Sequence, residues 1–239
     1  MRVTSTEIQN SFGKYLKVAL EQEPVVITRN GRDVACLEPC SDALRLAESK
    51  PVYDVGKMRT TYDEFLEMTK NSEERYELID GEVYLLTSPS YGHQAILGEL
   101  HAILHTWFKG KPCRPLFAPF DVTLFKSAEN INVVQPDILV VCDKDQIDNK
   151  GKYRGVPTLV VEVISPSTRR KDMLKKLDLY MQTGIQEYWL IDPDKQVVYF
   201  YAFEAGDFAD TQAYIGDAIL QSRCFPGLEI HLPDIFNIE

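Results

Sequence analysis

The sequence predicts an α/β (α+β) protein in two parts: a small helix-plus-hairpin module, then a larger domain of mixed strands and helices that ends in a meander. Three observations predict it. Apolar residues recur at helical spacing in some stretches and in short strand-like runs in others. Asn30-Gly31 and Asp80-Gly81 each separate two strand-like runs, a strong signal for a tight hairpin turn. Glu162 stands in the middle of an apolar run, Leu159 to Ile164, and Pro136-Asp137 sits on the preceding apolar run. An ionised carboxylate buried in a strand without a partner costs several kcal/mol or takes up a proton, so something positive must compensate it.

In the first part, Ile8, Phe12, Tyr15, Leu16 and Ala19 mark one amphipathic helix, and Thr4-Ser5-Thr6-Glu7 offers a capping box at its start. Pro24 to Arg29 and Arg32 to Leu37 are the hairpin strands around Asn30-Gly31. A linker, Ser41 to Val55, follows, and the domains are set at 1–48 and 49–239. In the larger domain Tyr62 to Lys70 reads as a short helix. Arg75 to Ile79 and Glu82 to Leu86 flank Asp80-Gly81 as a second hairpin. Ile96, Leu97, Leu100, Ile103, Leu104 and Trp107 give a helix its apolar face, with His93 one turn ahead. Leu116 to Phe125, Val133 to Val141 and Thr158 to Ile164 supply three strands. Met173, Leu174, Leu177, Tyr180 and Met181 mark a helix that stops at Gly184. Tyr188 to Ile191 and Gln196 to Tyr201 flank the turn Asp192 to Lys195, and Phe225-Pro226-Gly227-Leu228 opens the closing segment.

Composition narrows the function classes. A chain of 239 residues, 44% hydrophobic and 26% charged, suits a globular domain plus a small module. No run approaches the roughly 18 apolar residues of a membrane span, and the first residues do not read as a signal peptide, so a cytoplasmic protein with no membrane partner is expected. Cys36, Cys40, Cys113, Cys142 and Cys224 are odd in number and scattered, which predicts packing cysteines rather than disulfides or a zinc site. The net charge of −10 argues against a protein that coats nucleic acid indiscriminately, yet Arg169-Arg170-Lys171 and Lys175-Lys176 concentrate cations locally.

The candidate chemistry lies in Asp137, Glu162 and Lys176. Neighbouring strands can bring the two carboxylates together, and hard cations such as Mg²⁺ choose carboxylate and carbonyl oxygens, the Val163 backbone carbonyl completing the set. Lys176, at the edge of the helix's apolar face, is placed to reach them. The plainer alternative is a surface pair with Asp172, four residues earlier.

Two resemblances extend this reading. Pro24 to Pro39 matches the hairpin pattern of the Phd/YefM antitoxin family, so residues 1 to about 40 resemble that family. The resemblance implies a dimerising module that binds operator DNA, with Arg29 and Arg32 beside the hairpin turn as DNA contacts, and a cognate toxin or regulatory partner. The plainer alternative is a dimerisation or docking appendage. Further on, Arg75 to Glu82, His93, Pro136-Asp137, Val161 to Thr168, Asp172 with Lys176 and Tyr180, and Glu187 to Pro193 are together similar to the Uma-two family, a branch of the PD-(D/E)XK nuclease superfamily. That resemblance implies a restriction-endonuclease-like central mixed sheet flanked by helices. It further implies hydrolysis of DNA phosphodiesters with Mg²⁺ or Mn²⁺, and Asp137 and Glu162 as ligands. Glu77 would be an earlier acidic member holding a water or second cation, or else a hairpin salt bridge. His93 would be an accessory contact, or else a packed histidine at a helix start. The superfamily's lysine normally stands two residues after the acid, where this chain has Ile164, and Lys176 is read as the relocated lysine. A second class stays open: a DNA-binding regulator or antitoxin-like repressor that uses the nuclease fold as a scaffold.

Overall fold

The computed structural model describes residues 2–4, 7, 15, 18, 25–29, 32–37, 59–149, 151–165 and 171–237, with backbone alone at 29 and 32–37. The chain divides into two compact units, Met1–Glu48 and Ser49–Glu239.

In the first unit, β1 (Arg2–Thr4), β2 (Val25–Arg29) and β3 (Arg32–Leu37) form a three-stranded sheet in that order. Strand β1 runs parallel to β2, and β2 antiparallel to β3. The capping box is present: Glu7 N–H donates to Thr4 Oγ1 at 3.2 Å, and Thr4 N–H donates back to Glu7 Oε2 at 2.7 Å. Glu7, Tyr15 and Val18 are helical, and Tyr15 packs with Val3 and Val25 in a small core. The other expected helix positions, the Asn30-Gly31 turn and the Ser41 to Val55 linker lie outside the described residues.

The second unit begins with α1 (Tyr62–Thr69), started by a capping box between Thr61 and Glu64. The hairpin β4 (Tyr76–Ile79) and β5 (Glu82–Leu85) turns at Asp80 and Gly81, with φ of 50° and 77°, as a type I′ turn demands. Helix α2 (Tyr91–Phe108), capped by Ser90, buries Ile96, Leu97, Leu100, Leu104 and Phe108. Then come β6 (Arg114–Phe117), β7 (Val122–Phe125), β8 (Ile131–Val134), β9 (Ile138–Val141) and β10 (Leu159–Val163). A π-helical turn, Lys171–Lys176, runs into α3 (Leu177–Gln182). The chain closes with β11 (Glu187–Asp192), β12 (Val197–Glu204), β13 (Asp207–Ile215), β14 (Ile219–Gln221), β15 (Glu229–His231) and α4 (Leu232–Phe236).

The main sheet has the order β13-β12-β11-β10-β9-β6, and a four-stranded sheet has the order β5-β4-β8-β7. The six-stranded sheet is mixed, since β10 pairs parallel with β11 and antiparallel with β9. Strand β10 is buried along its whole length, which explains its unbroken apolar run. Period two divides it. Leu159, Val161 and Val163 join the core under α2, whereas Val160 and Ile164 join the core under α3. Glu162 shares the parity of the second set and therefore faces α3.

Three expectations from the sequence need correction. The runs Leu116 to Phe125 and Val133 to Val141 are not single strands: each is cut in two, with one half in each sheet. The cuts fall at Ala118-Pro119, a cis peptide, and at Gln135-Pro136-Asp137. Proline cannot donate to a ladder, and here its position marks where the chain changes sheet. Asp137 thus sits at a bend just before β9 rather than inside a strand. The edge strand β13 was not foreseen, because its sequence is polar and mostly exposed. Finally, Cys113 and Cys142 form a disulfide, directly beyond the Arg114↔Val141 pair of the β6–β9 ladder. Strand register brought them together, and their spacing in the sequence carried no such sign. Among the described residues Cys224 is free.

Candidate active site

Where the β9–β10 ladder runs on past Val161↔Ile138, Glu162 and Asp137 come side by side. Asp137 Oδ2 accepts the Val163 backbone N–H at 2.7 Å, which locks the carboxylate against β10. His93, from the first turn of α2, places Nε2 3.2 Å from the same oxygen. Its burial opposes the charged ring, but the Asp137 carboxylate and the Val163 carbonyl raise its pKa above the ordinary histidine value. The ring's Nδ1 is buried with no hydrogen-bond partner among the described residues. His93 thus meets the Asp137 carboxylate from the first turn of α2.

Glu162 faces the helical layer. Its Oε1 accepts from Lys176 Nζ and from the Tyr180 hydroxyl, each at 2.7 Å. The Lys176 side chain is 3% exposed, so the reading of a surface pair with Asp172 fails; Asp172 is also buried, with Oδ1 3.8 Å away. Lys176 Nζ also lies 2.8 Å from Glu77 Oε1, and Lys171 Nζ lies 2.5 Å from Glu77 Oε2. The Gln135 backbone N–H completes that clamp at 3.0 Å. Burial alone would raise the Glu77 pKa, but Lys176 and Lys171 outweigh it and hold the carboxyl at about 2. A depressed pKa contributes stability above the ordinary carboxylate range and loses it as the pH falls through the folded value. The stability gap between wild type and Glu77→Gln should therefore narrow as the pH drops from about 4.5 towards about 2, checked by denaturant titrations across that window.

The π turn makes this arrangement. In an α-helix, positions five apart point to sides roughly 140° apart. The wider π turn, with its i→i+5 pairing, brings Lys171 and Lys176 round to the same carboxylate. Sequence reasoning missed Lys171, Gln135 and the role of Tyr180. The available signs were weak: a tyrosine four residues after Lys176, and a lysine inside a basic run that reads as surface.

Donor chemistry and charge decide whether these residues fit a metal ion. Among the described residues, Glu77, Asp137, Glu162 and Asp172 set four carboxylates against the two ammonium groups of Lys171 and Lys176. Burial, opposed by Lys176 and reinforced by Asp137, Asp172 and Glu77, pushes Glu162 up to about 8. Burial is the largest cause, and the neighbouring carboxylates add to it. Asp137, Glu162 and the Val163 carbonyl are oxygen donors suited to a hard divalent cation. No three His, Cys, Asp or Glu side chains among the described residues form a ready-made metal cage. Two carboxylates and a carbonyl are the donors here that fit such a cation. Both Glu77 oxygens accept from lysines. The backbones of Arg29 and Arg32 pair across the first unit's hairpin, and their side chains lie outside the described residues, as do Pro166 to Arg170.

The profile of a family described as "Uma2: Putative restriction endonuclease" matches residues 62–233. The chain belongs to the Uma2 family. The match covers the main sheet, the carboxylates and both lysines of this Uma2 chain, and it leaves Met1–Glu48 outside. A solved structure described as "a putative nuclease belonging to DUF820", from Anabaena variabilis ATCC 29413, aligns with a TM-score of 0.62 and 24% identity. The alignment covers 74% of this chain and 97% of that one. The shared fold is the restriction-endonuclease-like one. Two curated relatives come from Synechocystis sp. "Uncharacterized protein slr1290" is 29% identical over 131 residues, 54% of this chain and 66% of the relative, just under two thirds of its length. "Uncharacterized protein sll1609" is 25% identical over 134 residues, 55% of this chain and 74% of the relative. Family and fold together give the second unit a restriction-endonuclease-like architecture. Among the described residues, no helix is long and apolar enough to cross a membrane.

Proposed function

We propose that this Uma2 chain is a Mg²⁺-dependent endodeoxyribonuclease, with Mn²⁺ as a substitute. The observation that carries the reading is the convergence of Asp137, Glu162 and Lys176 at one edge of the β9–β10 ladder. Asp137, Glu162 and the Val163 carbonyl would hold the cation. A bound divalent cation supplies Lewis-acid stabilisation of phosphoryl charge and lowers the pKa of water. Lys176 orients Glu162 and brings an ammonium towards the phosphate's charge. Glu77 is a positioning residue, holding Lys176 and Lys171 in place. His93 orients Asp137. Met1–Glu48 is proposed as a dimerising, DNA-binding module of Phd/YefM type with Arg29 and Arg32 on DNA, acting in the cytoplasm with a regulatory or toxin partner.

One observation favours the second reading, a DNA-binding regulator with an inert nuclease scaffold: Lys176 is shared between Glu162 and Glu77 rather than free. One experiment separates the two. Purified protein is incubated with supercoiled and linear DNA in Mg²⁺, Mn²⁺ or EDTA, beside Asp137→Ala. The expected result is cleavage in either cation, none in EDTA, and at least a ~100-fold loss in the variant. Equal cleavage by Asp137→Ala sinks the assigned site. Absence of cation binding by calorimetry, with operator-type DNA binding retained, favours the regulator.

A further inference from the structure

The disulfide and the candidate site stand at opposite ends of one ladder. In the β6–β9 pairing, Arg114↔Val141 is the first rung and Phe117↔Ile138 the last. Cys113 and Cys142 lie one position beyond the first rung, joined through their sulfurs. Ala118 and Asp137 lie one position beyond the last, where the Ala118 N–H donates to the Asp137 carbonyl at 3.1 Å. Asp137 is thus held from two sides. The end of β6 takes its main chain, and the Val163 N–H on β10 takes its carboxylate at 2.7 Å.

Strand β6 is four residues long and ends the main sheet beside β9. Antiparallel ladders alternate, so with the Ala118 N–H turned inward those of Leu116 and Arg114 turn inward too. Pro115, which has no N–H, falls on the outer side. A short edge strand with few rungs opens at low cost. Between Ala118 and Asp137 the chain leaves for the four-stranded sheet and returns, and the bridge closes that excursion across a separation of 29 residues. Closing such a loop removes entropy from the opened state, so the edge stays shut while the bridge is intact. The bridge is also open to a reductant. Cys142 is exposed, and its Sγ accepts the Thr158 hydroxyl at 3.4 Å in an exposed contact, whereas Cys113 is half-buried against the core under α2. Exposed disulfides are the ones that thiols reduce most readily.

We propose that the Cys113–Cys142 bridge is a site of thiol–disulfide exchange with a dithiol, and that its reduction frees the end of β6 and loosens Asp137. The inference rests on the nuclease reading for the part Asp137 plays as a cation ligand. One thiolate of the dithiol attacks the exposed Cys142 sulfur and forms a mixed disulfide; the bridge breaks, and Cys113 leaves as a thiolate that takes up a proton. The second thiolate of the dithiol closes its own disulfide and releases Cys142 as a thiol. The bridge gains two electrons and two protons, and the dithiol loses them. With the bridge open, β6 frays, the Asp137 carbonyl loses the Ala118 N–H, and the carboxylate is held from the β10 side without a fixed main chain behind it.

The test compares the full chain, oxidised and then reduced with dithiothreitol, beside the double variant Cys113→Ser with Cys142→Ser. Mass spectrometry after alkylation reads the bridge, peptide hydrogen exchange reads β6, and calorimetry reads Mg²⁺. Reduction is expected to speed exchange in the peptide Arg114 to Ala118 by at least ~10-fold and to leave Leu159 to Val163 unchanged. It should lower the melting temperature by about 5–10 °C. Mg²⁺ binding should weaken by about 10-fold, the size of effect that losing a ligand-orienting contact has on metal affinity. The double variant should match reduced wild type and no longer respond to dithiothreitol. A bridge absent from the oxidised protein overturns the inference, as does one that dithiothreitol leaves intact. Unchanged exchange in Arg114 to Ala118 on reduction overturns it as well, and so does a double variant that still responds. Mg²⁺ binding that is equal in both states overturns the control of the site alone, whereas no Mg²⁺ binding in either state overturns the nuclease reading and that control with it.

Discussion

Lys176→Met is expected to destabilise the protein by about 3–5 kcal/mol and to abolish cleavage. The Lys176 ammonium lies 2.8 Å from Glu77 and 2.7 Å from Glu162, with Asp172 at 3.8 Å. Methionine keeps the length of the chain and removes the charge, so two fully buried carboxylates lose their shared counter-ion. Removing one partner of a buried pair leaves the other charge desolvated, which costs more than the pair itself contributes. Lys171 still serves Glu77, so the larger loss falls on Glu162, whose remaining donor is the Tyr180 hydroxyl. The measurement is chemical denaturation of wild type and variant in EDTA, with a double variant, Lys176→Met with Glu162→Gln, beside them. The double variant should recover part of the lost stability, because no charge is stranded at Glu162. A single variant within about 1 kcal/mol of wild type removes Lys176 from the centre of the site.

Glu162→Gln is expected to separate stability from activity. Glutamine retains an oxygen at Oε1 to accept from Lys176 and Tyr180, so the local hydrogen bonds survive. What disappears is a carboxyl whose ionisation burial and three neighbouring carboxylates already oppose, pushing it up to about 8. In the absence of a divalent cation that change relieves repulsion, and the melting temperature in EDTA should equal or exceed that of wild type. Cleavage should fall by roughly 10³-fold, since a neutral amide is a poor ligand for a hard cation. Addition of Mg²⁺ should raise the melting temperature of wild type and leave that of the variant unchanged. Equal Mg²⁺ stabilisation of both proteins would falsify Glu162 as a ligand.

A good part of the fold was legible from local chemistry. Asp80-Gly81 specified its hairpin because both positions require positive φ, and the spacing from Ile96 to Trp107 specified α2 because one face had to be buried. The strands around Pro119 and Pro136 were less legible. Each apolar run reads as continuous, and only packing in two separate sheets shows where it divides. The disulfide between Cys113 and Cys142 was illegible for a similar reason, since strand register joins positions 29 residues apart.

At the site, the sequence by itself determined that Glu162 needed compensation, because a carboxylate inside Leu159 to Ile164 cannot stay charged and alone. It also determined Asp137 and Lys176 as candidates for the same cluster. Tertiary structure decided how the charges are shared. Strand parity turned Glu162 towards α3, the ladder set Asp137 beside it, and the π turn brought Lys171 and Lys176 onto Glu77. It also set Glu77 between Lys171, Lys176 and the Gln135 backbone N–H. The physical reason is range. Desolvation of a group in a strand follows from its immediate neighbours in the chain, whereas ion pairing depends on which distant side chains come within about 3 Å, and only packing sets that.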